Sequence, residues 1–101
     1  MKTYRIQINK EALQDIRDAS DWYSFKSKGS ENGFKKQVVS QINTLKKNPT
    51  IFAIRYNDVR CMLIKNFPFL VHFTIDEPNG IVKIFAIFHT SRNPKIWNER
   101  N

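Results

Sequence analysis

The sequence predicts an α+β fold in the order β-α-α-β-β-β: an N-terminal strand and a helical hairpin packed on an antiparallel sheet that closes with a C-terminal three-stranded meander. Three observations carry this expectation. The chain opens on a period-two alternation, its apolar residues then recur at helical spacing, and from Val59 onward the composition turns β-branched and aromatic.

Tyr4, Ile6 and Ile8 alternate with Arg5 and Gln7, which fits a half-buried strand joining the main sheet. Asn9 offers the side-chain oxygen that a helix N-cap needs, and Glu11 and Asp15 place acidic charge in the early turns, where the helix dipole favours it. Leu13, Ile16, Ala19 or Ser20, and Tyr23 follow on one face, and the helix is expected to end near Phe25. Residues 26–30 read as a polar turn. Phe34, Val38, Ile42 and Leu45 then recur at four, four and three residues, an amphipathic second helix. Asn48-Pro49 stops it, because the residue before a proline is driven out of helical dihedrals. Residues 59–65, 69–76 and 81–89 form three strands, joined through Asn66-Phe67-Pro68 and Glu77-Pro78-Asn79-Gly80, the second carrying the Asn-Gly hairpin signal. Residues 81–88 are apolar on both faces apart from Lys83, which suits a central strand.

With 101 residues the chain has room for one domain, residues 1–101, that buries roughly 60–70% of its unfolded surface. Lys and Arg number 17 against 9 acids, a formal net charge of +8 that attracts nucleic acid, a ribosome or an acidic protein without choosing among them. The excess is regional: between Glu31 and His72 the only acids are Glu31 and Asp58. Lys35, Lys36, Lys46 and Lys47, within that stretch, read as a solvated helix face. Cys61, the one cysteine, excludes an internal disulfide and fits a reducing compartment or one indifferent to redox. The first residues lack the apolar core of a signal peptide, and no run approaches the ~20 apolar residues of a membrane span. A cytoplasmic protein with no membrane partner, no metal and no cofactor is expected.

Basic groups gather at the margins of the predicted sheet, where Arg60, Lys65, His89 and Arg92 suggest an anionic target. Around them stand Asn48-Pro49 leading to Phe52, Arg55-Tyr56 with Val59-Arg60, Lys65-Asn66-Phe67-Pro68-Phe69, and His89-Thr90-Ser91-Arg92-Asn93-Pro94 with Trp97. In this order, on this succession of elements, the segments resemble the RelE/ParE family of toxins from bacterial type II toxin–antitoxin systems, the plasmid-stabilisation proteins, over nearly the whole chain. The resemblance implies growth arrest, a cognate antitoxin that wraps the toxin with a partly disordered acidic segment, and a toxin–antitoxin hetero-oligomer. It also implies one of two targets. RelE-like members cleave mRNA on the ribosome, whereas ParE-like members inhibit DNA gyrase.

Metal-independent RNA cleavage needs a 2′-hydroxyl oriented for attack, added negative charge stabilised and the leaving oxygen protonated. Arg60 and Arg92 can offer forked donors to phosphate oxygens, Lys65 adds a point charge, and His89 is the candidate acid, with His72 a weaker one. In the nuclease reading the catalytic residues are therefore His89, Arg60 and Arg92. In either reading Arg55, Arg60, Lys65, Arg92 and Trp97 are expected to contact the target or its nucleic acid. Packing roles compete with these. His89 can cap the sheet edge on a backbone carbonyl, His72 can fill the sheet surface at a place where the family commonly has an aromatic residue, and the arginines can pair with Asp58, Asp76 or Glu99. Of Trp22 and Tyr23 at most one is expected to be free, which leaves Trp97 as the better anchor for a partner.

Two departures turn the reading away from the nuclease. No tyrosine follows Tyr56, and from Asn48 to Phe67 the only acid is Asp58, so a glutamate base is absent there. Asp58 also stands where the family often has glycine, which leaves the shape of the turn before Arg60 open. The sequence is accordingly read as closer to the ParE-like branch, a binding poison of a target such as DNA gyrase, with ribosome-dependent mRNA cleavage as the alternative.

Overall fold

Asn9 caps the first helix as its position predicts: its side-chain oxygen accepts the Ala12 N–H at 2.8 Å, one of the donors a helix start leaves unpaired. From that cap α1 (Lys10–Lys26) runs one residue past the expected end, and α2 (Ser30–Thr44) follows after a short turn. Gly29 makes that turn at φ 95°, a conformation that a side chain would strain, and the Ser30 hydroxyl donates to the Tyr23 carbonyl at 2.6 Å. The computed structural model describes residues 2–99. Its strands are β1 (Arg5–Ile8), β2 (Ile54–Tyr56), β3 (Val59–Leu63), β4 (Phe69–Asp76) and β5 (Ile81–His89), in the spatial order β1-β5-β4-β3-β2.

The expected meander is β3, β4 and β5, antiparallel throughout. β1 joins beside β5 in parallel, so the sheet is mixed. β2 is a three-residue strand that the sequence reading did not resolve; it forms a tight hairpin with β3 in which Tyr56 pairs with Val59. Asn57 takes the positive φ of that turn, 47°, which leaves Asp58 in an ordinary conformation and accounts for the missing glycine. The β4–β5 connection is also longer than the two-residue hairpin that Asn-Gly suggests. Asp76 pairs with Ile81, and Gly80, at φ 63°, closes the loop with its N–H on the Glu77 carbonyl.

β5 carries the feature that organises both faces. Its pairing with β4 slips between His72 and Phe73, so that His72 faces Ala86 while Phe73 faces Ile84, and Phe85 is the additional residue of a β-bulge. Strict alternation would put Ile87 and His89 on the face of Lys83 and Phe85. The bulge instead returns Ile87 to the face of Val82 and Ile84, and His89 with it, toward the helices. The helix-side core contains Phe34, Val38, Ile42, Leu45, Met62, Ile64, Val71, Phe73, Val82, Ile84 and Ile87. Phe34 is 0% exposed and its ring lies 5.2–5.3 Å from those of Tyr23, Phe67 and Phe69. A second core on the opposite face holds Val59, Cys61, Phe85, Ala86 and Phe88, closed over by Trp97 from the 3₁₀ segment Pro94–Glu99.

Two helix side chains finish the hydrogen bonding of the sheet where its short edge strands stop. Beyond β1, the Ile87 N–H has no strand to meet and donates to Asp15 Oδ2 of α1 at 2.9 Å. Beyond β2, Gln41 of α2 donates to the Leu63 carbonyl at 2.7 Å and its Oε1 accepts the Lys65 N–H. Asp15 thus has a tertiary role beside the dipole role read from its position. Asp15→Ala strands a buried N–H and is expected to cost about 1–3 kcal/mol, whereas Asp15→Asn keeps an acceptor and costs less. Urea denaturation midpoints of the two variants check this.

Candidate functional site

The strand registers separate the residues that the sequence reading grouped. Phe69 pairs with His89 at one end of the sheet, and Leu63 pairs with Leu70 close by, so Lys65 and His89 belong to that end. Arg60 pairs with Phe73, which faces Ile84, five residues before His89 along β5. At ~3.3 Å per residue this is ~16 Å along the strand. Arg60 also points away, and its charge is felt by Glu77 and Tyr4 at the opposite end. Its guanidinium donates to the Phe52 carbonyl at 2.6 Å and the Thr50 carbonyl at 3.3 Å, which ties the 3₁₀ turn Pro49–Ile51 to the sheet. Among the described residues the hollows beside His89 include Arg92 in one case and Arg60 in neither.

His89 stands between two hollows. One, of about 310 Å³, is walled by Trp22, Tyr23, Pro68, Phe69 and Ser91; the other, of about 200 Å³, by Asp15, Asp18, Ala19, Ile87 and Arg92 among others. The imidazole Nδ1 accepts the Ser91 backbone N–H at 3.0 Å and lies 2.7 Å from the Ser91 hydroxyl. The backbone partner is therefore an amide donor and not the carbonyl expected. Accepting that N–H leaves Nε2 as the ring nitrogen that carries the proton of this tautomer. The carboxylates beside the ring are engaged as well: Asp15 holds the Ile87 N–H, and Asp18 accepts from Gln14 at 2.9 Å.

On the second face an aromatic row runs between two arginines. Arg55 lies 5.7 Å from the Trp97 ring, Trp97 is 4.8 Å from His72, His72 is 5.1 Å from Phe88, and Arg92 lies 4.7 Å from the Phe88 ring. Both arginines are exposed, with their guanidinium groups over aromatic faces. His72 is a core residue, 0% exposed, rather than a surface filler; its Nδ1 lies 3.0 Å from the Tyr56 hydroxyl and 3.5 Å from Cys61 Sγ. Burial pushes the Tyr56 hydroxyl up to about 12 and the Cys61 thiol up to about 11, so both are neutral near pH 7.

Trp97 corrects the sequence reading. It is 7% exposed, its edge and faces taken by His72, Tyr56 and Arg55, and it anchors a core rather than a partner. The exposed aromatics are Trp22 at 54% and Phe25 at 90%, while Tyr23 packs inward, as the one-of-two expectation had it. The two ion pairs among the described residues are Lys2–Glu77 and Lys83–Asp76, so neither arginine takes Asp58 or Asp76; the Glu99 side chain lies outside the described residues.

At the far end of the sheet Glu77 accepts from the Tyr4 hydroxyl at 2.6 Å and from Lys2 at 3.0 Å, and these bonds, Tyr4 first, hold its carboxyl below the ordinary 4.5. A carboxyl depressed in the folded state binds fewer protons there than when unfolded. Its stabilisation is complete above pH 4.5 and is lost as pH falls through the folded value. In Glu77→Gln, the slope of stability against pH below 4.5 is expected to flatten, as denaturant midpoints at stepped pH would show.

Between β1 and the helices lies a groove of about 950 Å³ with an apolar floor that includes Ile6, Ile8, Leu13, Ile16, Val38 and Ile42, and a rim carrying Arg5, Lys35, Lys46 and Lys47. No helix among the described residues is long and apolar enough to cross a membrane.

A family model for the ParE toxin of the type II toxin–antitoxin system parDE matches residues 6–94. The chain belongs to the ParE toxin family. Among solved structures, the chromosomal ParDE toxin–antitoxin system from P. aeruginosa is similar at TM-score 0.78 and 16% identity, over 88% of this chain and 98% of that one. The isolated E. coli RelE toxin follows at TM-score 0.64 and 13% identity, over 95% and 93% of the two chains. The archaeal RelE–RelB complex from Pyrococcus horikoshii OT3 gives 0.57 and 13%, over 90% and 99%. No curated protein sequence gives a match. The expected β-α-α-β-β-β order is kept here, with a short β2 before the meander.

Proposed function

We propose that this ParE-family toxin arrests growth by binding and inhibiting a target such as DNA gyrase, and that a cognate antitoxin neutralises it. The observation that carries this reading is the division of the basic residues. Arg60 serves the scaffold at one end of the sheet, and His89 at the other accepts a backbone N–H on Nδ1, so no acid, base and phosphate clamp converge on one point. Carboxylates at Asp15 and Asp18 face the same hollow as Arg92 and oppose an RNA phosphate there. What remains suits contact rather than chemistry: Arg92, Arg55 and Lys65 are exposed, and Trp22 lines the hollow beside His89.

The groove between β1 and the helices fits the antitoxin. An acidic amphipathic segment that folds on binding would bury its apolar side on Ile6, Leu13 and Ile42 and meet Lys35, Lys46 and Lys47 with its charges. Toxin–antitoxin complexes are among the structurally similar proteins, which supports such a partner.

Purified toxin added to cell-free translation, with primer extension of a reporter mRNA and a ribosome-free control, tests the reading together with a gyrase supercoiling assay. The expected result is intact message and inhibited supercoiling, relieved by the antitoxin. Discrete new mRNA ends that require ribosomes would overturn it in favour of the RelE-type endoribonuclease.

A further inference from the structure

The lysines of α2 and its exit were read from the sequence as a solvated helix face, and their positions on the helix are more specific than that. Lys35 and Lys46 are eleven residues apart, as are Lys36 and Lys47. At ~3.6 residues per turn eleven residues make about three turns, so each pair repeats on one row of the helix surface, ~16 Å apart. α2 ends at Thr44, and Lys46 and Lys47 follow in a tighter turn whose N–H groups bond the carbonyls three residues back; both stay exposed, and with Lys35 they border the same groove. Between the two ends the same face shows Val39, Ser40 and Asn43, and Asn32 precedes the first end, all exposed and none acidic. Among the described residues none of the four lysines is in an ion pair. The nearest acids in the chain are Glu31 before the face and Asp58 beyond it.

From this we propose that the outer face of α2 is a nucleic-acid interface that binds the phosphate backbone of duplex DNA without reading sequence. Two cationic ends ~16 Å apart straddle a major groove about 12 Å wide, one pair toward each phosphate wall. The middle of the face is neutral, with Ser40 and Asn43 able to hydrogen-bond beside the exposed Val39, so it admits close approach without repulsion. Duplex is favoured over single strand because single-strand binding relies on aromatic platforms for stacked bases. The face has none, since the exposed aromatics Trp22 and Phe25 are on α1. Lysine, a point charge on a flexible stem, suits backbone attraction better than base readout, which favours the arginine fork. The interface is separate from Arg92 and His89 and does not depend on gyrase being the target, but it shares Lys35, Lys46 and Lys47 with the rim of the groove proposed for the antitoxin, so duplex and antitoxin exclude each other there.

The test is fluorescence anisotropy of the purified toxin with a labelled mixed-sequence duplex of roughly 20 base pairs, titrated between roughly 50 and 200 mM salt. Four phosphate contacts at about −0.9 each predict a slope of log K on log salt near −3.6, or a loss of roughly 100-fold across that range. The quadruple variant K35Q/K36Q/K46Q/K47Q is expected to bring the slope close to zero and remove most of the affinity. The matching Lys→Arg variant keeps the charges and is expected to restore both, which separates lost charge from lost fold. Three results would overturn the proposal: no duplex binding by the wild type at the lowest salt, an unchanged slope in the Lys→Gln variant, or tighter binding to a single strand of the same length. Loss of antitoxin affinity alone in the Lys→Gln variant, with duplex affinity intact, would also overturn it and make the face a protein surface.

Discussion

Trp97→Ala is expected to destabilise the protein by about 3–5 kcal/mol, the cost of emptying a large aromatic site in a core. For a domain of this size that lowers the melting temperature by roughly 15–30 °C. The physical reason is that the second face of the sheet has little else to close it. Val59, Cys61, Phe85, Ala86 and Phe88 lie there, and Trp97 brings the 3₁₀ segment Pro94–Glu99 down onto them through His72 and Tyr56. Its indole N–H has no hydrogen-bond partner among the described residues, so the ring alone contributes the stability, and Trp97→Phe should retain most of it. A second readout follows from Cys61, which is buried beneath this lid with its thiol pushed up to about 11. In the wild type it should resist alkylation, and in Trp97→Ala it should react at least tenfold faster under native conditions, since a thiol reacts as exposed thiolate. An exposed anchor for a target would behave otherwise, losing toxicity with an unchanged melt.

The two cores show why some of this was legible and some was not. The helix-side core follows from local periodicity: Phe34, Val38, Ile42 and Leu45 repeat at helical spacing, and Val71, Phe73 and Ile75 at period two, so their faces are written in single elements. The second core is not. Trp97 and Cys61 meet only because a terminal 3₁₀ segment folds back over the sheet, a contact that has no period in the sequence. The same applies to the bulge at Phe85. Residues 81–88 read as apolar on both faces, which fits two registers equally well, and only the pairing with β4 decides where His89 points. Arg60 and Arg92 could be grouped from sequence as forked phosphate donors, but their separation is a matter of register, ~16 Å of strand between Ile84 and His89. Gln41 and the tertiary role of Asp15 were missed for a related reason: each completes the sheet from a helix, at a point where an edge strand happens to stop.

That separation makes a sharp prediction for the two arginines. Arg92 is exposed and held by the face of Phe88, so its removal leaves no buried acceptor behind, and Arg92→Ala should melt within a few degrees of the wild type. If it contacts the target as proposed, it is a candidate hot spot, and losing about 2 kcal/mol or more weakens binding roughly 30-fold, enough to abolish arrest on induced expression. Arg60 behaves in the opposite way. Its guanidinium satisfies the Phe52 and Thr50 carbonyls, and charged hydrogen bonds of this kind are worth roughly 1.5–3 kcal/mol. Arg60→Ala should therefore loosen the turn Pro49–Ile51 and lower the melting temperature, yet still arrest growth when compared at equal folded amount and at a temperature where it is folded. Thermal denaturation together with colony counts under matched expression distinguishes the pair. A toxic Arg92→Ala protein would remove Arg92 from the contact surface. A non-toxic Arg60→Ala protein with a wild-type melt would return Arg60 to it, because a residue that only braces a turn cannot lose function without losing stability.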